Sequence, residues 1–360
     1  MNIVINRTDA IGDVMLTMPL AKRLKKQFPE SKVFFICSLL TAPLFDNHPY
    51  IDGCFSLDKN KSFLSKFYYI LKVFRKLKPS MYFHVGGDQT PNIASWFYRI
   101  PYRGGLKSKW QSFVFLNKAV RQKRSIVEMH ESEYNLSLLS QADKINVAEF
   151  SPSLSLTPEE IGLGEETLNN LFNEFSLPHK PYIIIHPGMT GHTLNWPSRN
   201  YGRVIKHLEV KFPNKYNFIV SYTPSDAKFI DEVKKYIMEN EELAQKTLFF
   251  DGSLFGLRVY MSLVKMASLF IGPSTGTTHI ANALGTKQVS IYSPIRVQSA
   301  FRWGPFIKKS KQVSILIPDV VCGEQFKCAG EDCPYYECMS KIEVDDVIKE
   351  CELLLDDDED

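Results

Sequence analysis

Cysteine is scarce in this chain, with seven among 360 residues. The low, odd number excludes a small secreted scaffold stapled by disulfides and fits a reducing compartment. No G-x-G-x-x-G follows a strand-like segment and no G-x-x-x-x-G-K-[ST] occurs, so a standard dinucleotide fingerprint and a P-loop are both missing. Long apolar runs are missing too. The longest uncharged stretch of near-spanning length, residues 266–286, is filled with Gly, Pro, Ser, Thr, Asn and His and cannot cross a bilayer. The opening Met1-Asn2-Ile3-Val4-Ile5-Asn6-Arg7 lacks the basic start and apolar stretch of a secretory signal, so a cytoplasmic location is expected. Cys322, Cys328, Cys333 and Cys338 are spaced by six, five and five, without a C-x-x-C pair. Free thiols and no metal are the expectation there.

Acidic residues are nearly absent from one segment. Residues 59–124 hold fifteen Lys or Arg and a single acid, Asp88. That segment carries +14 in a chain of net +3, so the remainder carries −11. Such segregation fits a region facing an anionic partner, although solvated helix faces would give the same count. No nucleic-acid-binding motif is recognisable, and nucleic acid is not expected as a partner.

What is present is enough chain for two domains, with 44% hydrophobic and 23% charged residues, as in an ordinary globular protein. Strand candidates at 3–5, 32–37, 51–57 and 81–85 alternate with helices at 14–28 and 62–77. After a Pro-interrupted stretch at 149–181, containing one helix at 165–175, strands at 182–185, 217–221, 247–250, 269–272 and 289–292 alternate with helices at 199–211, 226–239, 256–267 and 277–284. This βαβ alternation predicts two doubly wound parallel sheets, class α/β, with ligands at the carboxyl ends of the strands.

Four loops fall at such ends. Gly272-Pro273-Ser274-Thr275-Gly276-Thr277-Thr278-His279 runs from a strand into a helix, whose free N–H groups and dipole favour an anion; a Thr-capped helix without ligand is the plainer alternative. Arg7-Thr8-Asp9-Ala10-Ile11-Gly12-Asp13 places the Asp13 carboxylate where it could take a proton from a sugar hydroxyl or cap the next helix. His186-Pro187-Gly188-Met189-Thr190 leads to Asn195-Trp196-Pro197, with Trp196 either closing a site or packed in the core. In Tyr222-Thr223-Pro224-Ser225-Asp226, Asp226 could accept from ribose hydroxyls or cap a helix.

Together these loops resemble glycosyltransferase family 9, the ADP-heptose:lipopolysaccharide heptosyltransferases and their relatives. The resemblance rests on R-x-D-A-I-G-D-V from Arg7, His130 with Glu133, the H-P-G loop with N-W-P, and G-P-S-T-G-T-T-H-I-A-N-A-L-G from Gly272. It implies a GT-B architecture of two Rossmann-like domains facing a cleft. It also implies an inverting, metal-independent transfer from a nucleotide-sugar to an anionic glycan acceptor, without a cofactor. By that resemblance Asp13 is the catalytic base, Thr275, Gly276, Thr277 and Thr278 hold the donor phosphates, and Asp226 holds the donor ribose, while the residues themselves suggest that Thr190 and Ser274 also meet phosphate oxygens. Residues 1–160 would bind acceptor, 161–180 connect, 181–342 bind the nucleotide-sugar, and 343–360 form a helix and acidic tail. Two positions depart from the family pattern, Leu194 for Lys and Ser274 for Asp, and a non-catalytic glycan- or nucleotide-sugar-binding relative is the alternative.

The basic segment interleaves its charge with aromatic residues. Lys72, Arg75, Lys76, Arg99 and Arg103 are therefore expected to meet a lipid-linked anionic acceptor, with the protein peripheral at the cytoplasmic face of the inner membrane.

Overall fold

The computed structural model describes residues 1–139, 149–189, 194–306, 311–322 and 327–356. The chain divides into two compact units, Met1–Ser155 and Leu156–Asp360. In the first, β1 (Asn2–Arg7), β2 (Lys32–Ser38), β3 (Gly53–Leu57), β4 (Met81–Gly86), β5 (Tyr102–Leu106) and β6 (Lys118–Val120) form one six-stranded sheet in the order β3-β2-β1-β4-β5-β6. The second contains β7 (Tyr182–Ile185), β8 (Asn217–Tyr222), β9 (Thr247–Asp251), β10 (Leu269–Pro273), β11 (Gln288–Ile291) and β12 (Val313–Leu316), ordered β12-β11-β10-β7-β8-β9. Every strand pair is parallel. Helices therefore cover both faces, which is why Ile3-Val4-Ile5 and Ile183-Ile184-Ile185 read as unbroken apolar runs and are fully buried.

Strand order reverses between β1 and β4 in the first unit and between β7 and β10 in the second. At such points neighbouring connections leave in opposite directions and open a crevice beyond the carboxyl ends. All four expected site loops lie at that end of a strand, and three leave a reversal strand: Arg7 to Asp13 follows β1, the His186 loop follows β7, and Ser274 to Thr278 follows β10.

The helix expected at 14–28 is two, Ile11–Met15 and Met18–Gln27. Pro19, near the start of the second, has no N–H to carry the first helix onward. The helix expected at 165–175 runs Pro158–Glu174, because Thr157 and Glu160 cap it reciprocally at 3.2 and 2.8 Å. Its Pro158 is a start signal, not a break. Arg258 donates to the Glu160 carboxylate (Nε to Oε1, 2.8 Å), tying this helix to the helix Leu257–Met266. The C-terminal helix Val344–Asp356 adds Val347, Ile348, Cys351 and Leu355 to the core of the second unit.

Candidate active site

In the first unit Arg7 ends β1 and is only 6% exposed. Its Nη1 donates to the Val85 carbonyl at 3.1 Å, its Nε lies 3.0 Å from Asp9 Oδ2, and its Nη2 bonds Asp13. Burial opposes the guanidinium charge, but Asp13 and Asp9 more than offset it and the Arg7 pKa rises. One buried cation thus fixes two partly exposed carboxylates, a charge-assisted arrangement with a defined direction. Asp13 is the third residue of its helix and not the cap, which is Ala10. Burial pushes the Asp9 carboxyl up against the pull of Arg7 and Lys109.

This contact needs bare backbone opposite it. A Cβ on Gly86 would stand 2.6 Å from Arg7 Nη1 and from Asp9 Oδ2; one on Gly87 would stand 2.1 Å from Thr8 Oγ1, and its φ is +82°. Position 87 therefore requires glycine, and a side chain at 86 would have to displace the ends of Arg7 and Asp9. Beside them Thr8 Oγ1 accepts the Asp88 N–H at 2.7 Å, and Lys66 pairs with Asp88 at 2.5 Å. Buried His84 lies 3.1 Å (Nδ1) from Asn6 Nδ2 and 2.8 Å (Nε2) from Gln89 Nε2. Burial, with the nearby charges of Arg7 and Lys109, lowers its pKa to about 3. His130 and Glu133 form a capping box for the helix Glu131–Leu136, and Asn135 of that helix donates to the Leu16 carbonyl at 3.0 Å.

In the second unit the helix Gly276–Leu284 starts after Thr275, whose side chain makes no capping hydrogen bond. The first N–H groups of that helix therefore have no side-chain cap. The hydroxyls differ in use. Thr278 Oγ1 donates to the Pro273 carbonyl at 2.5 Å, Thr277 Oγ1 faces the Tyr260 hydroxyl, and the Ser274 N–H goes to the Ile291 carbonyl at 3.1 Å. Asp226, 5% exposed, caps its own turn: Oδ2 accepts the Thr223 N–H at 2.9 Å and hydroxyl at 2.8 Å. A Cβ on Gly188 would lie 2.4 Å from Asp226 Oδ1, so the H-P-G loop packs directly on that carboxylate. His186 Nδ1 lies 3.1 Å from Ser221 Oγ, and burial lowers its pKa against the pull of Asp226.

Several sequence readings change. Trp196 does not close a site: it is 1% exposed, and its Nε1 donates to the Ile342 carbonyl at 2.9 Å. Leu194 packs on the same core and, with Cys322, Cys328, Cys333 and Cys338, lines a cavity of about 300 Å³. Among the described residues no group of three or more His, Cys, Asp or Glu is arranged to hold a metal ion. Thr190 and His192 lie outside the described residues. Arg103 donates through Nε to the Phe115 carbonyl at 2.8 Å and through Nη1 to the Ile100 carbonyl at 2.5 Å, so its fork holds local backbone. Lys72, Arg75 and Lys76 are exposed near the C-terminal end of the helix Phe63–Leu77. The helix rise puts them about 13–20 Å along the axis from its start, which follows the carboxyl end of β3. Arg7, Asp9, His84 and Lys109 were not singled out, though Arg7 at a strand end before two acids, and the Gly86-Gly87 pair, were visible signals.

Comparison with known proteins accords with this geometry. The sequence profile of glycosyltransferase family 9 (heptosyltransferase) matches residues 72–328. A Haemophilus influenzae protein assigned as a glycosyltransferase is 24% identical over 319 residues, 88% of this chain and 89% of that one. The solved ADP-heptose lipopolysaccharide heptosyltransferase II of Escherichia coli covers 100% of both chains, with a TM-score of 0.77 and 18% identity. A family 9 glycosyl transferase of Veillonella parvula covers 99% of this chain and 97% of its own, with a TM-score of 0.78 and 18% identity. Two six-stranded parallel units of this topology, shared with these solved structures, give the chain the GT-B fold. The chain belongs to glycosyltransferase family 9, the heptosyltransferase family.

Proposed function

We propose that this enzyme moves a heptose or a related sugar from an ADP-linked donor to a lipopolysaccharide core or similar anionic, lipid-linked glycan, inverting the anomeric centre without a metal. The observation that carries the proposal is the Asp13 carboxylate, partly exposed and held by the buried Arg7 guanidinium at the strand reversal of the first unit. The name of the E. coli structure, an ADP-heptose enzyme, supports the donor.

In this reading Asp13 takes the acceptor hydroxyl proton as that oxygen bonds to the anomeric carbon. The bond from that carbon to the diphosphate oxygen breaks, and the leaving charge settles on the N–H groups of Gly276, Thr277 and Thr278, fixed dipoles where charge develops. Thr275 and Ser274 line the same loop. Thr190 belongs to the neighbouring H-P-G loop, and Asp226, engaged by Thr223, shapes the nucleoside side through Gly188. Incubation with ADP-heptose and a lipopolysaccharide core acceptor, read by ADP release and acceptor mass, tests the reading; no release with any ADP-, UDP-, GDP- or CDP-sugar would leave the non-catalytic alternative.

Gly276→Val should abolish calorimetrically detectable ADP binding, because a β-branched side chain stands where phosphate meets backbone. Asp226→Ala should weaken ADP less and also lower the melting temperature, since it removes a cap costing about 1 kcal/mol. Normal ADP binding by Gly276→Val would displace the phosphate from this loop.

A further inference from the structure

We propose that Tyr260 is a positioning residue for the leaving group: at the end of a buried hydrogen-bond chain from His186 through Ser221, its hydroxyl turns the Thr277 hydroxyl to donate to the leaving diphosphate. This rests on the phosphate loop proposed above and adds what directs that loop from beneath.

The hydroxyls of the loop are not equivalent once their protons are followed. Thr278 Oγ1 donates to the Pro273 carbonyl and has no proton left for a ligand. Ser274 faces buried Tyr292, whose own hydroxyl donates to the Trp303 carbonyl at 3.2 Å. Tyr292 can therefore only accept from Ser274, which turns the Ser274 proton inward. Thr277 differs. Its Oγ1 is shielded from solvent and closes no hydrogen bond among the described residues, although it faces the Tyr260 hydroxyl. Buried hydroxyls are normally paired, and this one stands on the first turn of the helix Gly276–Leu284, whose start has no side-chain cap.

Three elements meet beneath it. His186 follows β7, Ser221 lies on β8 and Tyr260 on the helix Leu257–Met266, and all three are buried. His186 Nδ1 lies 3.1 Å from Ser221 Oγ, which lies 3.2 Å from Tyr260 Oη. Such a chain can run in two directions. With a proton on His186 Nδ1, Ser221 accepts from the imidazole and donates to Tyr260; Tyr260 then donates to Thr277, and the Thr277 proton points out to the phosphate. With Nδ1 bare, every donor reverses, and Thr277 offers the phosphate only lone pairs. A bound diphosphate anion therefore selects the first direction. Burial pushes the Tyr260 phenol up, so it keeps the proton it must donate.

The test compares ADP with AMP on the full chain. The phosphate oxygen that breaks from the sugar carries its charge in product ADP but not in the sugar-linked donor, and AMP lacks that phosphate. A hydroxyl aimed there therefore acts in the transition state and on ADP, and leaves AMP alone. Tyr260→Phe, which removes one oxygen and keeps the ring, should lower kcat and calorimetric ADP affinity each by about tenfold, with AMP affinity and donor KM nearly unchanged. Thr277→Val should lower both at least as far, and adding Tyr260→Phe to it should cost nothing more. Ser221→Ala, which breaks the chain one bond earlier, should repeat the Tyr260→Phe pattern more weakly. Equal losses for ADP and AMP would mark a merely structural role and overturn the assignment, as would independent losses that multiply in the double variant. A wild type that binds no ADP overturns the assignment together with the nucleotide reading. A wild type that binds ADP, with this pattern among its variants, but transfers no sugar would sink the proposed reaction and leave the positioning of Thr277 standing.

Discussion

Asp13→Asn is expected to lower sugar transfer by about 10²–10⁴-fold, the usual worth of a positioned general base, with ADP affinity nearly unchanged. The amide fills the same space, but it cannot take the acceptor proton and loses the charge that Arg7 grips. ADP affinity should persist because the loop assigned to the phosphates belongs to the other unit. The decisive control is Asp9→Asn. Arg7 holds both carboxylates, and burial pushes the Asp9 carboxyl up, so Asp9 is the second candidate for the base. Single-turnover rates on one acceptor separate them: an Asp9→Asn that loses about 10²-fold or more, beside an Asp13→Asn that keeps more than about a tenth of wild-type rate, would move the proton to Asp9.

Acid should unfold the first unit well above the range where carboxylates alone act. Folded His84 has its pKa lowered from 6.5 to about 3, and His48, also buried, from 6.5 to about 4. As pH falls through 6.5 the unfolded chain takes protons that the folded chain refuses, so stability is full above that pH and drains away down to about 3. The loss assignable to His84 is on the order of 5 kcal/mol across the window. Asp9, whose pKa is raised, works in the opposite direction, and Asp88, whose pKa is lowered, adds to the loss at the acid end. Urea midpoints at several pH values check this. His84→Gln should flatten the pH dependence while lowering stability near neutrality; a wild-type midpoint indifferent to pH between neutrality and the lower end would contradict the buried neutral imidazole.

The alternation of apolar runs and amphipathic stretches made both sheets legible, because parallel strands buried on two faces keep β-branched residues together. Three edge-side strands carry no such pattern. β5 contains Gly104 and Gly105, β6 is three residues long, and β12 is only partly buried, so none gives a strong apolar signal. Asp13 and the Ser274 to Thr278 loop were legible as motifs at strand ends. The Arg7 clamp was not, since it depends on β4 delivering Gly86 beside β1, a pairing about eighty positions distant along the chain that no local pattern encodes. Whether Trp196 was lid or core turned on one long-range partner, the Ile342 carbonyl.

The absence of side chains at Gly86 and Gly87 makes this edge evolutionarily brittle in one specific way. A side chain at 86 would push the ends of Arg7 and Asp9 out of their contact, and one at 87 collides with Thr8, backbone included. A randomised library selected for activity should therefore recover substitutions at 86 mainly alongside a shorter residue at 7. Positions 7 and 86 are thus coupled through space, although one of them has no side chain with which to do chemistry.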